Sequence, residues 1–292
     1  MKTMTEPAFG KLNLSLDILR RRPDGYHDLD MVMISCEQQD LVTVALNTGT
    51  PWKILVDQAA VPSGRENLAW RAAESFFAAT GFSCDGLTIT LKKQIPSGAG
   101  MAGGSSDAAA VLRILNRCFG APLDLPGLCA VGECVGSDVP YCVCGDTRRA
   151  QGRGEILTPL PPMPDCEILL CKPPFSISTP ELFRAADASP TDLHPDTDAM
   201  ICALGDGNLP QIGALLCNAF QPIVEKRYPQ CTKIVQTMRE FGACGAAMTG
   251  TGSCFFGLFS DQKAALDCSQ NLRRLYPETR LVHPVTTQQP LA

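Results

Sequence analysis

The residues best placed to do chemistry form one run, Pro96-Ser97-Gly98-Ala99-Gly100-Met101-Ala102-Gly103-Gly104-Ser105-Ser106-Asp107. Four glycines fall among the seven residues 98–104. Glycine lets backbone approach an anion closely, its N–H groups can point at the charge, and a helix N-terminus behind it adds about half a positive charge. Ser105 and Ser106 can cap that helix or offer hydroxyls to a phosphate or its metal. Glycines at this density, ahead of capping serines, favour anion binding over a plain packing turn.

Three known phosphate-binding patterns compete for the run. Residues 98–103 spell the G-x-G-x-x-G dinucleotide fingerprint, but a Rossmann unit needs another strand after the helix, whereas here a further helical segment begins near Pro126. A Walker A loop needs Gly-Lys-Ser/Thr, and no lysine follows these glycines. Protein kinases carry His-Arg-Asp and Asp-Phe-Gly signatures, and the chain has neither. The Walker A and protein-kinase readings fall away, and the Rossmann reading stays as a distant alternative that nicotinamide binding would test.

The elements that must position this loop can be read from periodicity. Over residues 11–19, Leu12, Leu14, Leu16 and Ile18 alternate with Lys11, Asn13, Ser15 and Asp17, the pattern of a half-buried strand, so Lys11 and Asn13 share a face. Residues 20–25 are turn chemistry that delivers Tyr26-His27 to a second extended segment at 29–35 and closes a hairpin. Further strands are expected at 41–45, 52–56, 87–91, 167–171, 254–259 and 280–285. Helices are expected at 66–79, stopped by Gly81, and at 105–120, 126–135, 210–224, 228–241 and 261–276. A loop at 189–198 and a loose tail from Thr286 complete the reading. The Pro-rich run 158–164 is the clearest change of composition and sets the expected lobe boundary, dividing 1–157 from 158–292.

A chain of 292 residues with 45% hydrophobic content can bury a real core in two lobes. With 19% charged residues and a net charge of -5, it offers no basic face for nucleic acid, and a small-molecule partner is expected. The longest apolar stretches, 168–171 and 254–259, fall far short of the roughly 20 residues of a membrane-spanning helix. The first seven residues lack the apolar core of a secretory signal, so a cytoplasmic protein is expected. The fifteen cysteines are scattered, odd in number and set among apolar neighbours, as Cys142, Cys217 and Cys254 are. They read as buried thiols, and with only three histidines a zinc cluster has little to draw on.

The ordered motifs resemble those of the GHMP kinases, the family of galactokinase and of homoserine, mevalonate and phosphomevalonate kinases. Its second motif is similar to residues 96–106, its first to Ala8-Phe9-Gly10-Lys11-Leu12-Asn13-Leu14, and its third to Met248-Thr249-Gly250-Thr251-Gly252-Ser253-Cys254. Arg22-Pro23-Asp24-Gly25-Tyr26-His27 and Gly136-Ser137-Asp138-Val139-Pro140 resemble the branch whose substrate carries a cytidine diphosphate. Two positions depart from that branch: Met101-Ala102, where it has Leu-Gly, and Gly10, where alanine is commoner.

The resemblance implies an α+β fold of two lobes, a ribosomal-protein-S5-like N-terminal lobe and a ferredoxin-like C-terminal lobe. It implies ATP as phosphoryl donor, Mg²⁺, and a small cytidyl diphosphate substrate. Lys11 and Asp138 become the catalytic pair, Asp138 as base and Lys11 as the cation beside it. Asn67, Leu68 and Lys93 join Pro96, Ser97, Gly98, Ala99, Gly100, Met101, Ala102, Gly103, Gly104, Ser105 and Ser106 as ATP-binding residues, with Ser106 the candidate Mg²⁺ ligand. Asn13, Tyr26, His27, Thr179 and Phe183 join Asp138 on the substrate side, Tyr26 and Phe183 stacking on the base and His27 bonding its edge. Two rival readings are a homoserine- or mevalonate-type GHMP kinase, disfavoured by the aromatic residues, and a non-catalytic nucleotide-binding regulator, disfavoured by Lys11 with Asp138.

Overall fold

The alternation at Lys11 belongs to a longer strand than its pattern suggests. A computed structural model describes residues 2–189 and 192–286, where β1 spans Lys2–Arg21 and β2 spans His27–Leu46, paired antiparallel from end to end. The segments expected separately at 29–35 and 41–45 are thus one strand. The other strands are β3 (Lys53–Val56), β4 (Leu87–Lys92), β5 (Arg148–Gly152), β6 (Ile156–Pro159), β7 (Glu167–Cys171), β8 (Cys217–Asn218), β9 (Gly245–Met248), β10 (Phe255–Phe259), β11 (Thr279–Val282) and β12 (Pro284–Val285). The helices are α1 (Leu68–Thr80), α2 (Gly103–Cys118), α3 (Leu125–Val135), α4 (Val139–Cys144), α5 (Thr179–Ala188), α6 (Thr197–Gly205), α7 (Leu209–Ala214), α8 (Gln221–Arg227), α9 (Gln230–Glu240) and α10 (Gln262–Arg273).

These strands form the two sheets of a mixed α/β fold. The larger runs β3-β4-β2-β1-β8, with β5, β12 and β4 sharing the far edge of β2 at residues 29–33, 35–36 and 41–46. The smaller runs β11-β7-β10-β9, all from beyond the Pro-rich run, while β8 and β12 return from that half to the larger sheet. Helices α1, α2 and α3 cover one side of the larger sheet over a core that includes Phe76, Ile89, Leu112 and Leu128, each 0–1% exposed. Truncating Phe76 to alanine there would cost about 3–5 kcal/mol.

Where periodicity misleads, a local contact explains it. The expected helix at 210–224 is broken because Cys217-Asn218 pairs with Ser15-Leu16 of β1, and the Asn218 amide donates to the carbonyls of Met248 and Gly250 at 2.8 and 2.9 Å. The loop expected through residue 198 ends earlier, since Asp196 caps α6 by accepting from the Ala199 N–H at 2.9 Å. Helix α4 is six residues long, too short to show a period. Beyond Thr286 the expected tail lies outside the described residues. The cysteines do not form one buried class: six are buried, seven are half-buried, and Cys134 and Cys202 are exposed, because several sit on helix faces rather than sheet interiors. Cys142 and Cys217 are among the half-buried ones.

Candidate functional site

Strand β1 is irregular where its chemistry lies. Its register with β2 shifts between Phe9 and Gly10 and again between Asn13 and Ser15, so bulges bracket the Lys11–Asn13 stretch. A bulge re-aims the side chains that follow it. Leu12 and Leu14 accordingly enter the core between the sheets, whereas Leu16 turns to the face of Lys11 and lines the same cavity. The strict alternation expected through Ile18 therefore ends after Asn13.

That cavity, of about 730 Å³, is lined by Lys11, Tyr26, His27, Asp138, Thr179 and Phe183, with Arg21, Arg153, Arg184 and Asp187 among their neighbours. A second one of about 440 Å³ is lined by Asn67, Leu68, Lys93 and the whole of residues 96–105. Gly98, Gly100, Ala102 and Ser105 border both, so the glycine loop is the wall between them. Gly98, Gly100 and Ala102 take left-handed φ values of 63°, 72° and 58°. The alanine explains one departure from the motif: glycine is the natural residue at such a φ. The other departure is linked to it, because a Cβ on Gly10 would stand 3.1 Å from Cε of Met101. Met101, together with the Gln38 carbonyl oxygen at 3.0 Å, occupies space that an alanine at position 10 would need.

The third motif folds against this loop, backbone on backbone. The N–H groups of Ser253 and Cys254 donate to the carbonyls of Gly98 and Ala99 at 3.1 and 3.2 Å. A Cβ on Gly100 would lie 2.3 Å from the Thr249 carbonyl oxygen, so only glycine fits. Asn13 fixes the same turn from below: its Oδ1 accepts from Lys11 Nζ at 2.6 Å and from the Gly250 N–H at 2.9 Å. Asn13 is 0% exposed and does not line the cavity, so the structure puts it behind Lys11 rather than in front of substrate.

Lys11 is 5% exposed. Burial lowers the pKa of its ammonium, and the nearby Asp138 carboxylate and Cys142 work against that. Asp138 stands at the N-cap of α4 and lines the cavity, held there by the turn in which the Val139 N–H donates to the Gly136 carbonyl at 3.0 Å. A carboxylate and a desolvated ammonium facing one cavity, with a phosphate-type loop as its wall, suit proton acceptance and stabilisation of growing negative charge.

Aromatic groups line the same cavity. His27 stacks on Phe183 with centroids 4.7 Å apart, and Phe183 meets Phe220 edge-on at 4.9 Å. Tyr26 is 54% exposed, with the Arg153 guanidinium 5.2 Å from its ring centre. Sequence reasoning missed Asp187, whose Oδ1 lies 2.7 Å from His27 Nε2, and Arg153, which also pairs with Glu133 at 2.6 Å. A signal for Asp187 was present: Ser178-Thr179-Pro180-Glu181 spells a helix start, and position 187 follows Phe183 by one helical turn. Thr179 joins α5 to the third motif through a hydroxyl pair with Thr251 at 2.9 Å.

On the other side of the loop, Asn67 caps α1, its Oδ1 accepting from the Ala69 N–H at 2.9 Å. Lys93 lines the smaller cavity, yet its ammonium is taken by two buried carboxylates, Asp40 and, at 2.5 Å, Asp107. Burial pushes the Asp107 pKa up to about 7 in spite of Lys93, and its Oδ1 has no hydrogen-bond partner. Ser106 is not brought to either cavity: its hydroxyl donates to the Phe9 carbonyl at 2.7 Å. Ser105 is the serine that faces both.

Comparisons with known proteins identify the family. Residues 67–146 match the family model for the GHMP kinases N terminal domain, and residues 200–278 match GHMP kinases C terminal. A Pelotomaculum thermopropionicum protein named 4-diphosphocytidyl-2-C-methyl-D-erythritol kinase is 41% identical over 93% of this chain and 94% of its own length. One of the same name from Alkaliphilus metalliredigens is 36% identical over 97% of each. The crystal structure of a 4-(cytidine 5'-diphospho)-2C-methyl-D-erythritol kinase superposes with a TM-score of 0.81 at 32% identity, covering 97% of this chain and all (100%) of the other. Homoserine kinase from Cytophaga hutchinsonii, at 16% identity and a TM-score of 0.75 over 98% and 96% of the two chains, shares the fold.

Proposed function

Since the chain belongs to the GHMP kinase family, among the relatives named 4-diphosphocytidyl-2-C-methyl-D-erythritol kinase, we infer that it is an ATP-dependent kinase of that substrate in isoprenoid precursor synthesis. The reaction moves the γ-phosphoryl group of ATP to the 2-hydroxyl. The observation that carries this reading is the pair of cavities sharing one glycine wall, the larger lined by aromatic groups as well as by Lys11 and Asp138. A nucleotide triphosphate in the smaller cavity would present its terminal phosphate at the wall, opposite a hydroxyl in the larger.

In this reading the Asp138 carboxylate accepts the hydroxyl proton, while the Lys11 ammonium, held by Asn13, stabilises charge on the transferring oxygens. Residues 96–105 cradle the phosphates with backbone N–H groups, helped by the N-terminus of α2, which no side chain caps. The cytosine binds at Tyr26, His27 and Phe183, and Asn67 and Leu68 border the adenine side. The oxygen donors on the larger cavity, Ser105 and Asp138, suit a hard cation, and among the described residues no cluster of three or more His, Cys, Asp or Glu forms a metal cage. Mg²⁺ bound there with ATP would neutralise phosphate charge. Among the described residues no helix is long and apolar enough to cross a membrane, and we place the reaction in the cytoplasm.

The test is ADP release by the purified chain with ATP, Mg²⁺ and 4-diphosphocytidyl-2-C-methyl-D-erythritol, run beside homoserine and mevalonate. Turnover with the cytidyl substrate alone, reduced about 10²- to 10⁴-fold in Asp138→Asn, is the expected result. Equal turnover with homoserine or mevalonate would reject the substrate assignment, and an active Asp138→Asn would reject the base.

A further inference from the structure

Outside the site, α3 and α4 approach each other through sulfur. Cys129 lies on α3, Cys144 is the last residue of α4, and their Sγ atoms are 3.4 Å apart. Among the described residues this is the one cysteine pair whose thiols hydrogen-bond to each other. Cys129 also points its thiol at the Pro140 carbonyl within α4, at 3.8 Å. Both cysteines are half-buried, so a small reagent can reach them. We propose that Cys129 and Cys144 form a modification site, closed to a disulfide by a hydroperoxide, and that closure slows phosphoryl transfer by shifting Asp138.

The surroundings separate Cys144 from the other cysteines, its partner Cys129 included, whose thiol is pushed up by the hydrogen bond with Cys144 and by burial. The hydrogen bond from Cys129 and the positive charge of Arg148 bring the Cys144 pKa down to about 7, whereas burial pushes Cys36, Cys142 and Cys171 up to about 12. Cys144 is therefore the thiolate that attacks first. Its sulfur takes one peroxide oxygen to become a sulfenic acid, and the other oxygen leaves as an alcohol, or as water when the oxidant is hydrogen peroxide, after gaining a proton. The Cys129 sulfur then attacks the sulfenic sulfur, the S–O bond breaks, and the oxygen leaves as water with the Cys129 proton. Two thiols are oxidised by one peroxide, and a dithiol such as dithiothreitol reverses the step.

Closure reaches Asp138 because of where the link falls. Asp138 stands at the N-cap of α4, inside the loop the disulfide would close, and Cys144 stands at the other end of that six-residue helix. Bonded sulfurs lie about 2.05 Å apart, so the contact of 3.4 Å shortens by about 1.4 Å on closure, taken up by rotation of the two side chains together with a shift of α4 toward α3. A displacement near 1 Å at a reacting group can cost about 10²-fold in rate, so a loss of turnover of about tenfold or more is expected.

The experiment treats the reduced full-length chain with hydrogen peroxide at pH 7, blocks remaining thiols with N-ethylmaleimide, and maps the peptides. Cleavage by trypsin and Glu-C at Arg117, Glu133 and Arg148 parts Cys129 from Cys144 unless they are linked. The expected result is a cross-linked pair of peptides, 118–133 with 134–148, joined through Cys129 and Cys144. Turnover should fall in step with the link and return with dithiothreitol, and Cys129→Ser, checked for folding by circular dichroism, should keep its turnover within about twofold after the same treatment. Cys144→Ala serves as a second variant should Cys129→Ser misfold. Linkage through other cysteines, oxidation of exposed Cys134 and Cys202 ahead of this pair, or a linked chain with full turnover would each overturn the proposal. The mapping stands whether or not the kinase reading does, since it needs no substrate.

Discussion

Asp107→Asn isolates the charge balance beneath the smaller cavity. One ammonium, Lys93, serves two buried carboxylates, Asp40 and Asp107, whose side chains are 0% and 2% exposed. Asp40 Oδ1 also accepts from the backbone N–H groups of Gln94 and, at 2.8 Å, Ile95, while Asp107 Oδ1 accepts from nothing. The poorer site keeps its proton, in line with a pKa pushed up to about 7 by burial. An unfolded aspartate releases its proton near 3.8, so between there and about 7 the folded chain holds one more proton than the unfolded chain. Stability must then fall as pH rises through that window, by about 1.4 kcal/mol per pH unit at most.

From pH 5 to pH 7 this amounts to about 2–3 kcal/mol lost by the wild type through Asp107 alone. Asparagine leaves Lys93 an acceptor and cannot titrate, so the variant should lack that part of the slope. Urea unfolding, followed by fluorescence of Trp52 and Trp70, which pack on the core around α1, reads the difference. Other groups titrate in both proteins and cancel when the two profiles are subtracted. Parallel profiles, agreeing within about 0.5 kcal/mol at both pH values, would refute the reasoning and show that Lys93 keeps both carboxylates ionised.

Three further outcomes are expected. Lys11→Met should lower kcat about 10²- to 10³-fold with little change in the KM for ATP, since the lost charge acts mainly in the transition state. Asp187→Asn should raise the KM for the cytidyl substrate about tenfold and leave that for ATP unchanged, because its contacts, His27 at 2.7 Å and Arg21 at 3.8 Å, both lie on the larger cavity; an equal rise for both would assign Asp187 to folding. Ala102→Gly should raise stability by about 0.5–1 kcal/mol in urea unfolding, as it removes an alanine from φ 58°.

The sequence was most legible where chemistry is backbone-made. Glycine spacing marked out the turn of the loop without help from tertiary structure, because positive φ and close approach favour glycine at positions 98 and 100. Lys11 and Asn13 were rightly placed on one strand face, yet the pattern could not reveal that Asn13 is buried behind Lys11, since that depends on Gly250, 237 positions away. Ser106 and Ser105 illustrate the same limit: adjacent serines in a helix's first turn face different ways, and only the position of the Phe9 carbonyl decides which one turns inward. Lys93 was legible as a cavity residue, but its two partners come from β2 and α2, and no local spacing links them. Strand β2 hid its own length because its middle, Glu37-Gln38-Gln39-Asp40, is polar; Asp40 and Gln38 are nonetheless buried, each bonded to the 94–95 backbone.

The glycine wall sets a constraint that a nucleotide-binding loop alone does not. A loop that only cradles phosphate can lean on bulky residues on its outer side, whereas this one has a cavity there. Its shared residues, Gly98, Gly100, Ala102 and Ser105, carry nothing larger than a hydroxymethyl group. A Cβ on Gly98 would stand 2.4 Å from Ser176 Oγ and one on Gly100 2.3 Å from the Thr249 carbonyl, so both neighbours press on the wall from the C-terminal half of the chain. Thin walls are soft, and this one is stiffened by backbone hydrogen bonds from Ser253 and Cys254 rather than by side chains. That is why three motifs far apart in sequence must converge: the first supplies Lys11, the second the wall, and the third the backbone brace that lets the wall stay one backbone thick between donor and acceptor.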